Sequence, residues 1–438
     1  MKESKVAIIG LGYVGLPTYV AIHQTGNYHV VGYTRNQKRI DALYRGLSQI
    51  DEPYVDEYLS KHQQELHFTN NEKDLEGTEI FIICVPTPVF DDFNPDYGPV
   101  ISATKLIAPY IKKGAQIVLE STVNPGTSRE VLLPILEERT GLKAGTGFNI
   151  AHCPERVNPG DKRWNIYNIN RNIGSVNKAQ NQKIAAFYRK FLPDALINEV
   201  ASLEVAEATK IVENSFRDIN IAFVNELAQS FDKMKIDVKE TIDAAANKPF
   251  GFMAHYPGCG VGGHCIAVDP YYLIKKAATH GFDHKFLKLA REINNDMPKY
   301  TVYKLMEELN QVGYPVKGTK VALLGLSYKP DIADLRNSPS YEILSELERL
   351  GADVVIYDPF IFDQNHGLST DVTIAASITE AVKDSIAVLI ATAHSQFTNE
   401  LPALLSSQKT LKVVVDGRNC LEKSAITDIG LRYSGIGL

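Results

Sequence analysis

Short runs of apolar and β-branched residues alternate along the chain with longer stretches in which apolar positions recur every three or four residues. In the first half the runs are residues 5–9 (KVAII), 29–34 (HVVGYT), 79–85 (EIFIICV), 116–120 (QIVLE) and 149–153 (NIAHC). Continuous apolar runs of this length, each followed by a helical stretch, are the pattern of strands buried on both faces of a parallel sheet. The pattern restarts beyond Gly313-Tyr314-Pro315 and Lys317-Gly318, with residues 320–324 (KVALL), 353–357 (DVVIY), 386–391 (IAVLIA) and 411–415 (LKVVV). Between the halves lie a long helical stretch, 202–235, with Ser202 as N-cap and Glu204 in its first turn, and a second one, 282–312. These elements predict an α/β fold of two Rossmann-like doubly wound domains joined by a long central helix. The expected boundaries are 1–200, a helical linker at 201–314 that carries a cysteine loop and a dimer surface, and 315–438.

Composition narrows the function. A chain of 438 residues with 44% hydrophobic and 22% charged residues can bury more than one core and has no signature of disorder. The net charge of -6, without a Lys/Arg cluster, argues against a nucleic-acid surface. No run approaches the roughly 18 apolar residues of a membrane span, and the N-terminal apolar run is too short for a signal peptide. A cytoplasmic protein with no membrane or nucleic-acid partner is expected. The five cysteines, Cys84, Cys153, Cys259, Cys265 and Cys420, are odd in number and scattered without a C-x-x-C, so thiols rather than disulfides are expected.

Three features carry chemistry. Gly10-Leu11-Gly12-Tyr13-Val14-Gly15 follows the first strand directly and opens a helix, which is where a G-x-G-x-x-G binds a dinucleotide pyrophosphate. The acid that would meet the adenosine ribose at the end of the second strand is replaced by Thr34 and Arg35. NAD is the expected cofactor, and this pair leaves NADP open. Ligand loops are expected at the other strand ends, at Pro86-Thr87-Pro88, Ser121-Thr122 and Pro154-Glu155-Arg156.

The second feature is residues 252–273, FMAHYPGCGVGGHCIAVDPYYL, in which Gly258, Gly260, Gly262 and Gly263 precede His264-Cys265 and Asp269 follows. A cysteine beside such glycines can attack a carbonyl carbon, and from these residues alone a buried, inert thiol is equally admissible. A metal site from His255, Cys259, His264 and Cys265 is disfavoured, because adjacent residues diverge; no metal is expected. The third feature is Lys210 and Asn214, four apart on the long helix and so on one face, where they could hold an oxyanion. The second half echoes the first, VALLGLSYKP against VAIIGLGYVGLP, but lacks the glycine fingerprint. It is expected to hold a different phosphate ligand through cations such as Lys329, Arg336 and Arg418.

These pieces resemble the UDP-glucose/GDP-mannose dehydrogenase family over essentially the whole chain. The likeness is carried by GLGYVGLP (10–17), CVPTP (84–88), ESTVNPGT (120–127), CPERVNPGD (153–161), Lys210 with Asn214, GVGGHCIAVDP (260–270) and GLSYKPDIADLRNSP (325–339). Within the family, GGHC followed by VDP is similar to enzymes of UDP-N-acetylhexosamines, and ERVNPGDK is most similar to UDP-N-acetylglucosamine 6-dehydrogenases, with UDP-N-acetylmannosamine and UDP-glucose enzymes as alternatives. The resemblance implies a four-electron, NAD-dependent oxidation of a C6 alcohol to a carboxylate through a Cys265 thiohemiacetal and thioester. Lys210 and Asn214 would stabilise the oxyanion, Asp269 would handle water, and Thr122 and Glu155 would place it. Implied cofactor contacts are Gly10, Gly12, Tyr13, Val14, Gly15, Thr34, Arg35, Val85, Pro86, Thr87, Thr122 and Arg336. Implied substrate contacts are Glu155, Arg156, Val157, Lys210, Asn214, Tyr256, Gly258, Gly260, Gly262, Lys329 and Arg418. A homodimer or higher homo-oligomer is expected, and polysaccharide biosynthesis as the setting. Two other readings compete: a one-step alcohol dehydrogenase, which would need no cysteine, and a catalytically silent nucleotide-sugar binding protein.

Overall fold

The structure, a computed structural model, describes residues 4–48, 50, 52–90, 92–157, 163–361, 367–368 and 372–438. The chain divides into two compact units, one of Met1–Glu213 with Tyr271–Gly281 and one of Asn214–Pro270 with Phe282–Leu438.

The first unit holds an eight-stranded sheet. Its strands are β1 (Ser4–Ile9), β2 (Tyr28–Tyr33), β3 (Phe68–Thr69), β4 (Ile80–Ile83), β5 (Gln116–Leu119), β6 (Asn149–His152), β7 (Arg171–Ser175) and β8 (Ile197–Glu199), in spatial order β3-β2-β1-β4-β5-β6-β7-β8. The order reverses at β1, so the loops leaving β1 and β4 flank the point where such sheets bind ligands. Successive side chains of the central strands go to opposite faces, and both faces are packed: Val6 and Ile8 join one apolar cluster, Ala7 and Ile9 the other. This is why these strands read as unbroken apolar runs.

The expected all-parallel arrangement holds through β6 and then changes. β7 runs antiparallel to β6, with Ala151 opposite Ser175 and His152 opposite Gly174, and β8 pairs parallel to β7. The return of the chain is what makes β7 begin at the carboxyl end of β6. Carried on three residues, that register sets Glu155 opposite Arg171.

The second unit repeats the scheme with β9 (Lys320–Leu324), β10 (Asp353–Tyr357), β11 (Thr373–Ile374), β12 (Ala387–Ile390), β13 (Val413–Asp416) and β14 (Arg432–Gly435), in order β11-β10-β9-β12-β13-β14 and parallel throughout. The two sheets are joined by the helix Leu203–Met234, 32 residues long. Its start is capped as expected, Ser202 Oγ accepting from the Val205 N–H at 3.3 Å. Val224 and Ala228 on it pack with Met297, from the helix Lys285–Gln311, and with Ile436. That second helix starts three residues later than the apolar pattern suggested, because His284 takes an extended φ of -73° and ψ of 98°.

Candidate active site

The first unit contains the dinucleotide turn. Gly10 has φ +98° and donates its N–H to the Tyr33 carbonyl at 3.0 Å; a Cβ there would lie 2.7 Å from the Cys84 carbonyl oxygen. At Gly15 a Cβ would come within 1.9 Å of the Gly10 oxygen, so the helix Gly15–His23 can start this close to the strand only with glycine. Gly12 differs from both: nothing lies within 4 Å of its Cβ position. Two glycines thus close the turn on protein, and the middle one leaves open space, an arrangement that fits the pyrophosphate of NAD. Tyr13 is exposed and Val14 half-buried beside it.

The loops after β4 and β5 are tied together. Ser121 Oγ donates to the Val85 carbonyl at 2.6 Å, and the Thr87 carbonyl accepts from Tyr272 Oη at 2.5 Å. Thr87 is buried, Pro86 exposed and Thr122 half-buried. A second tie was not anticipated from the sequence. Glu207, 1% exposed, accepts the N–H of Gly126 (2.5 Å) and of Ser128 (2.7 Å), fastening the loop that carries Thr122 to the helix one turn before Lys210. Burial is the main cause that raises its pKa from 4.5 to about 7; the donated N–H groups act against that, and Glu204 adds to it. Lys210 is half-buried, and no carboxylate among the described residues pairs with it.

Glu155 is buried at the end of β6. One oxygen lies 2.8 Å from Arg171 Nη1 and the other accepts the Val157 N–H at 2.8 Å. Arg171 is itself 1% exposed; burial opposes its charge, and Glu155 and Glu120 outweigh that, raising its pKa. Arg156 turns to Glu213, with Nε to Oε2 at 3.0 Å, and Val157 is half-buried. Residues 158–161 of the CPERVNPGD motif lie outside the described residues. Thr34 is half-buried and Arg35 exposed at the end of β2.

In the second unit the cysteine loop is assembled. Cys265 is exposed, whereas Cys84, Cys153 and Cys259 are buried and Cys420 is partly so. Burial pushes the thiol pKa of those four up, which keeps them neutral. The Cys265 carbonyl accepts the N–H groups of Val268 (3.1 Å) and Asp269 (2.8 Å), so the thiol sits on the turn that starts the helix Asp269–Thr279. Asp269, 4% exposed, accepts Asn214 Nδ2 at 2.5 Å. Two of the expected site residues are therefore in direct contact, and the third is one turn of backbone away. The His264 pKa is lowered, by burial first and then by Arg336, which favours the neutral imidazole.

The glycines of this loop mostly meet protein. Cβ atoms at Gly258, Gly262 and Gly263 would lie 2.9 Å from Arg418 Nη1, 2.6 Å from Tyr328 Cβ and 2.7 Å from the Tyr328 ring. Arg418 donates to the carbonyls of Ala391 (2.8 Å) and Gly260 (3.3 Å), and Arg336 is held by Asp334 at 2.9 Å. Arg336 and the half-buried Lys329 belong to this unit, as does Tyr256, whose hydroxyl donates to Asp243 at 2.6 Å. The loop also has a support missed from the sequence. Asn225 Oδ1 accepts the Gly258 N–H at 3.0 Å, its amide reaches Asn294 (2.8 Å), and Asn294 and Arg291 converge on Asp218 (2.8 and 2.6 Å). The signal was present: Asn214, Asp218 and Asn225 recur at helical spacing on one face of a helix.

An open glycine turn for a dinucleotide, together with an exposed cysteine on a glycine-built loop, defines a dinucleotide-dependent oxidoreductase. The chain matches the UDP-glucose/GDP-mannose dehydrogenase family in its NAD binding domain (residues 4–192), central domain (204–296) and UDP binding domain (322–423). Among curated relatives, the UDP-N-acetyl-D-glucosamine 6-dehydrogenase of Pseudomonas aeruginosa is 37% identical over 399 residues, 91% of this chain and 92% of that one. The UDP-N-acetyl-D-mannosamine dehydrogenase of Pyrococcus horikoshii is 33% identical over 435 residues, covering 99% of both. Among solved structures, that of a UDP-D-ManNAc dehydrogenase from Pyrococcus horikoshii superposes with a TM-score of 0.90 at 34% identity, covering 99% of both chains. The native structure of the Staphylococcus aureus UDP-N-acetyl-mannosamine dehydrogenase gives 0.81 at 34% identity, covering 99% of this chain and 98% of that one. The chain belongs to the UDP-glucose/GDP-mannose dehydrogenase family and is an NAD-dependent nucleotide-sugar dehydrogenase. Among the described residues no helix is long and apolar enough to cross a membrane.

Proposed function

We propose that this chain oxidises the C6 alcohol of a UDP-N-acetylhexosamine, UDP-N-acetylglucosamine foremost, to the carboxylate in two steps at Cys265. The observation that carries the proposal is the Asn214–Asp269 contact beside the one exposed cysteine. When bound, NAD supplies the acceptor for the hydride, one per two-electron step. In the first step the alcohol loses a hydride and a proton and becomes an aldehyde. The Cys265 thiolate then adds to the aldehyde carbon, and the resulting thiohemiacetal keeps a reactive aldehyde on the protein. Loss of a second hydride and the hydroxyl proton leaves a thioester, which water cleaves to the carboxylate and free Cys265.

Each negative oxygen that forms on the way needs a donor. Lys210 and Asn214 are assigned to it, at about 3 kcal/mol per donor in well-placed sites. Asp269 is buried and hydrogen-bonded, so it is assigned to hold the water that attacks the thioester. Glu155, fixed by Arg171 and the Val157 N–H, acts as a stationary acceptor that orients water with Thr122. The cytosol and a homodimer through the long helix complete the reading. Phe216 and Phe223, seven apart on that helix, are each about half exposed, which supports the dimer.

The sugar assignment rests on the likeness to the Pseudomonas aeruginosa enzyme, and UDP-N-acetylmannosamine is the second reading, supported by the Pyrococcus horikoshii structure. A panel of UDP-N-acetylglucosamine, UDP-N-acetylmannosamine and UDP-glucose, each followed by reduced cofactor and by the acid formed, tests it. Fastest turnover with UDP-N-acetylglucosamine is expected; turnover of UDP-glucose alone would overturn the reading.

A further inference from the structure

The adenosine end of the dinucleotide site carries a feature that the NAD reading leaves unused. β1 and β2 are paired with Ile9 opposite Tyr33, and the Gly10 N–H is bonded to the Tyr33 carbonyl, so Thr34 is the first residue beyond β2 beside the glycine turn. A dinucleotide whose pyrophosphate lies on that turn places its adenosine ribose there. An acid at this point binds the 2′-hydroxyl and repels a 2′-phosphate, and here no acid stands.

What stands there instead is cationic. Arg35 is exposed and follows Thr34 directly. Arg39 lies in the first turn of the next helix, Gln37–Tyr44, which Asn36 caps by accepting the Arg39 N–H at 3.2 Å. The Arg39 side chain is half-buried, and its Nε is sealed from solvent without a hydrogen-bond partner. Its pKa is lowered by burial, with Tyr13 of the glycine turn opposing, which ties this arginine to the dinucleotide side of the helix. Among the described residues neither Arg35 nor Arg39 is ion-paired with a carboxylate. Of the acids around them, Asp41 accepts Gln37 Nε2 at 2.8 Å, and Glu72 acts on Tyr33, where Arg35 works against it. The second sheet shows the contrast: the residue that follows β10 is an acid, Asp358.

A buried guanidinium nitrogen with no partner costs free energy unless a ligand satisfies it. We propose that Thr34, Arg35 and Arg39 form an anion site for a 2′-phosphate on the adenosine ribose, so that this dehydrogenase takes NADP as well as NAD. Arginine suits the task, since its planar fork matches phosphate geometry, and a threonine hydroxyl supplies a further donor.

Calorimetric titration of the full chain with adenosine 2′,5′-bisphosphate and with adenosine 5′-monophosphate tests the site without any turnover. The bisphosphate is expected to bind about tenfold more tightly or better, and Arg35→Ala and Arg39→Ala each to weaken it by roughly tenfold while changing the monophosphate by less than about twofold. Thr34→Asp, which restores an acid, should reverse the preference. Arg35 is exposed, so Arg35→Ala remains a fair test should Arg39→Ala fold poorly. Equal binding of the two nucleotides to the unaltered protein, or equal weakening of both by Arg35→Ala, would overturn the proposal. The proposal rests on the dehydrogenase reading only for the position of the dinucleotide. Failure here leaves the two-step oxidation untouched, and a protein that oxidised no sugar would still show the bisphosphate preference.

Discussion

Gly10 and Gly325 occupy the same point of their sheets. Each follows the central strand, with φ +98° and +95°, and each donates its N–H to a tyrosine carbonyl at the end of the neighbouring strand, Tyr33 at 3.0 Å and Tyr357 at 2.8 Å. Beyond that point the two turns part. After Gly10 the chain leaves open space over Gly12. After Gly325 the N–H groups of Leu326 and Ser327 are taken by Asp358 Oδ2 at 2.7 and 2.8 Å, and that carboxylate is held by His394 Nε2 at 3.1 Å. The protein's own carboxylate fills the turn that the first sheet leaves open. The repeated scaffold alone does not decide what the turn accepts: Asp358, the residue that follows the second strand, fills one turn, and Thr34 at the same point leaves the other open.

The largest effect expected on this contrast comes from Gly15→Ala. Its Cβ would meet the Gly10 oxygen at 1.9 Å, so the helix must move away from the turn. A loss of about 3 kcal/mol of stability is expected, measured by denaturant unfolding, with NAD binding lost beyond detection by titration. Asp358→Ala breaks the other turn: it leaves the N–H groups of Leu326, Ser327 and Phe360 and the Nε2 of His394 without this partner, and should cost about 2–3 kcal/mol while NAD affinity stays unchanged. Weaker NAD binding in that variant would show that the two turns are not independent.

Glu207 sharpens the comparison, because it uses the same device as Asp358 with a different charge balance. Burial works against the Asp358 carboxylate, but the His394 hydrogen bond and the N–H groups of Ser327 and Phe360 prevail and hold its pKa below the ordinary value. Glu207 accepts two N–H groups without a histidine, and its pKa rises to about 7. The pH dependences have opposite signs. The Asp358 contribution is present above its unfolded pKa and is lost as pH falls through the lowered folded value. The Glu207 contribution is present below 4.5 and is lost as pH rises through about 7. Glu207→Gln should flatten the decline of stability between those limits, by something on the order of 2 kcal/mol in unfolding measurements made across the range. An unchanged slope would remove Glu207 as its source. The smallest effect is that of Gly12→Ala. Its methyl group enters open space, so stability should hold within about 0.5 kcal/mol, and NAD should bind roughly tenfold more weakly.

The open turn was legible in the sequence, because a glycine fingerprint directly after an apolar run signals both its geometry and its ligand. The central strands were legible for the same reason, being buried on both faces. β7 (RNIGS) and β8 (INE) were not, since strands this short and polar carry no periodicity, and nothing local shows that β7 runs antiparallel. The partner of Glu155 was hidden with it: Arg171 stands opposite only because of that reversed register. The closing of the second turn was half visible. The missing glycines predicted a different ligand, but that Asp358 would fill the turn depends on a contact 32 residues away in the chain. For the cysteine loop, the glycines were visible but their reason was not, and packing explains three of them, which make room for Arg418 and Tyr328.

The central claim is that Cys265 carries the sugar through both oxidations. The most direct test is the ratio of reduced cofactor to sugar consumed, with intact-mass analysis of protein quenched during turnover. Two reduced cofactors per sugar, and a mass increase on the protein that is absent from Cys265→Ala, are the results expected. One reduced cofactor per sugar with free aldehyde in solution, or acid formed at the full rate by Cys265→Ala, would contradict the account.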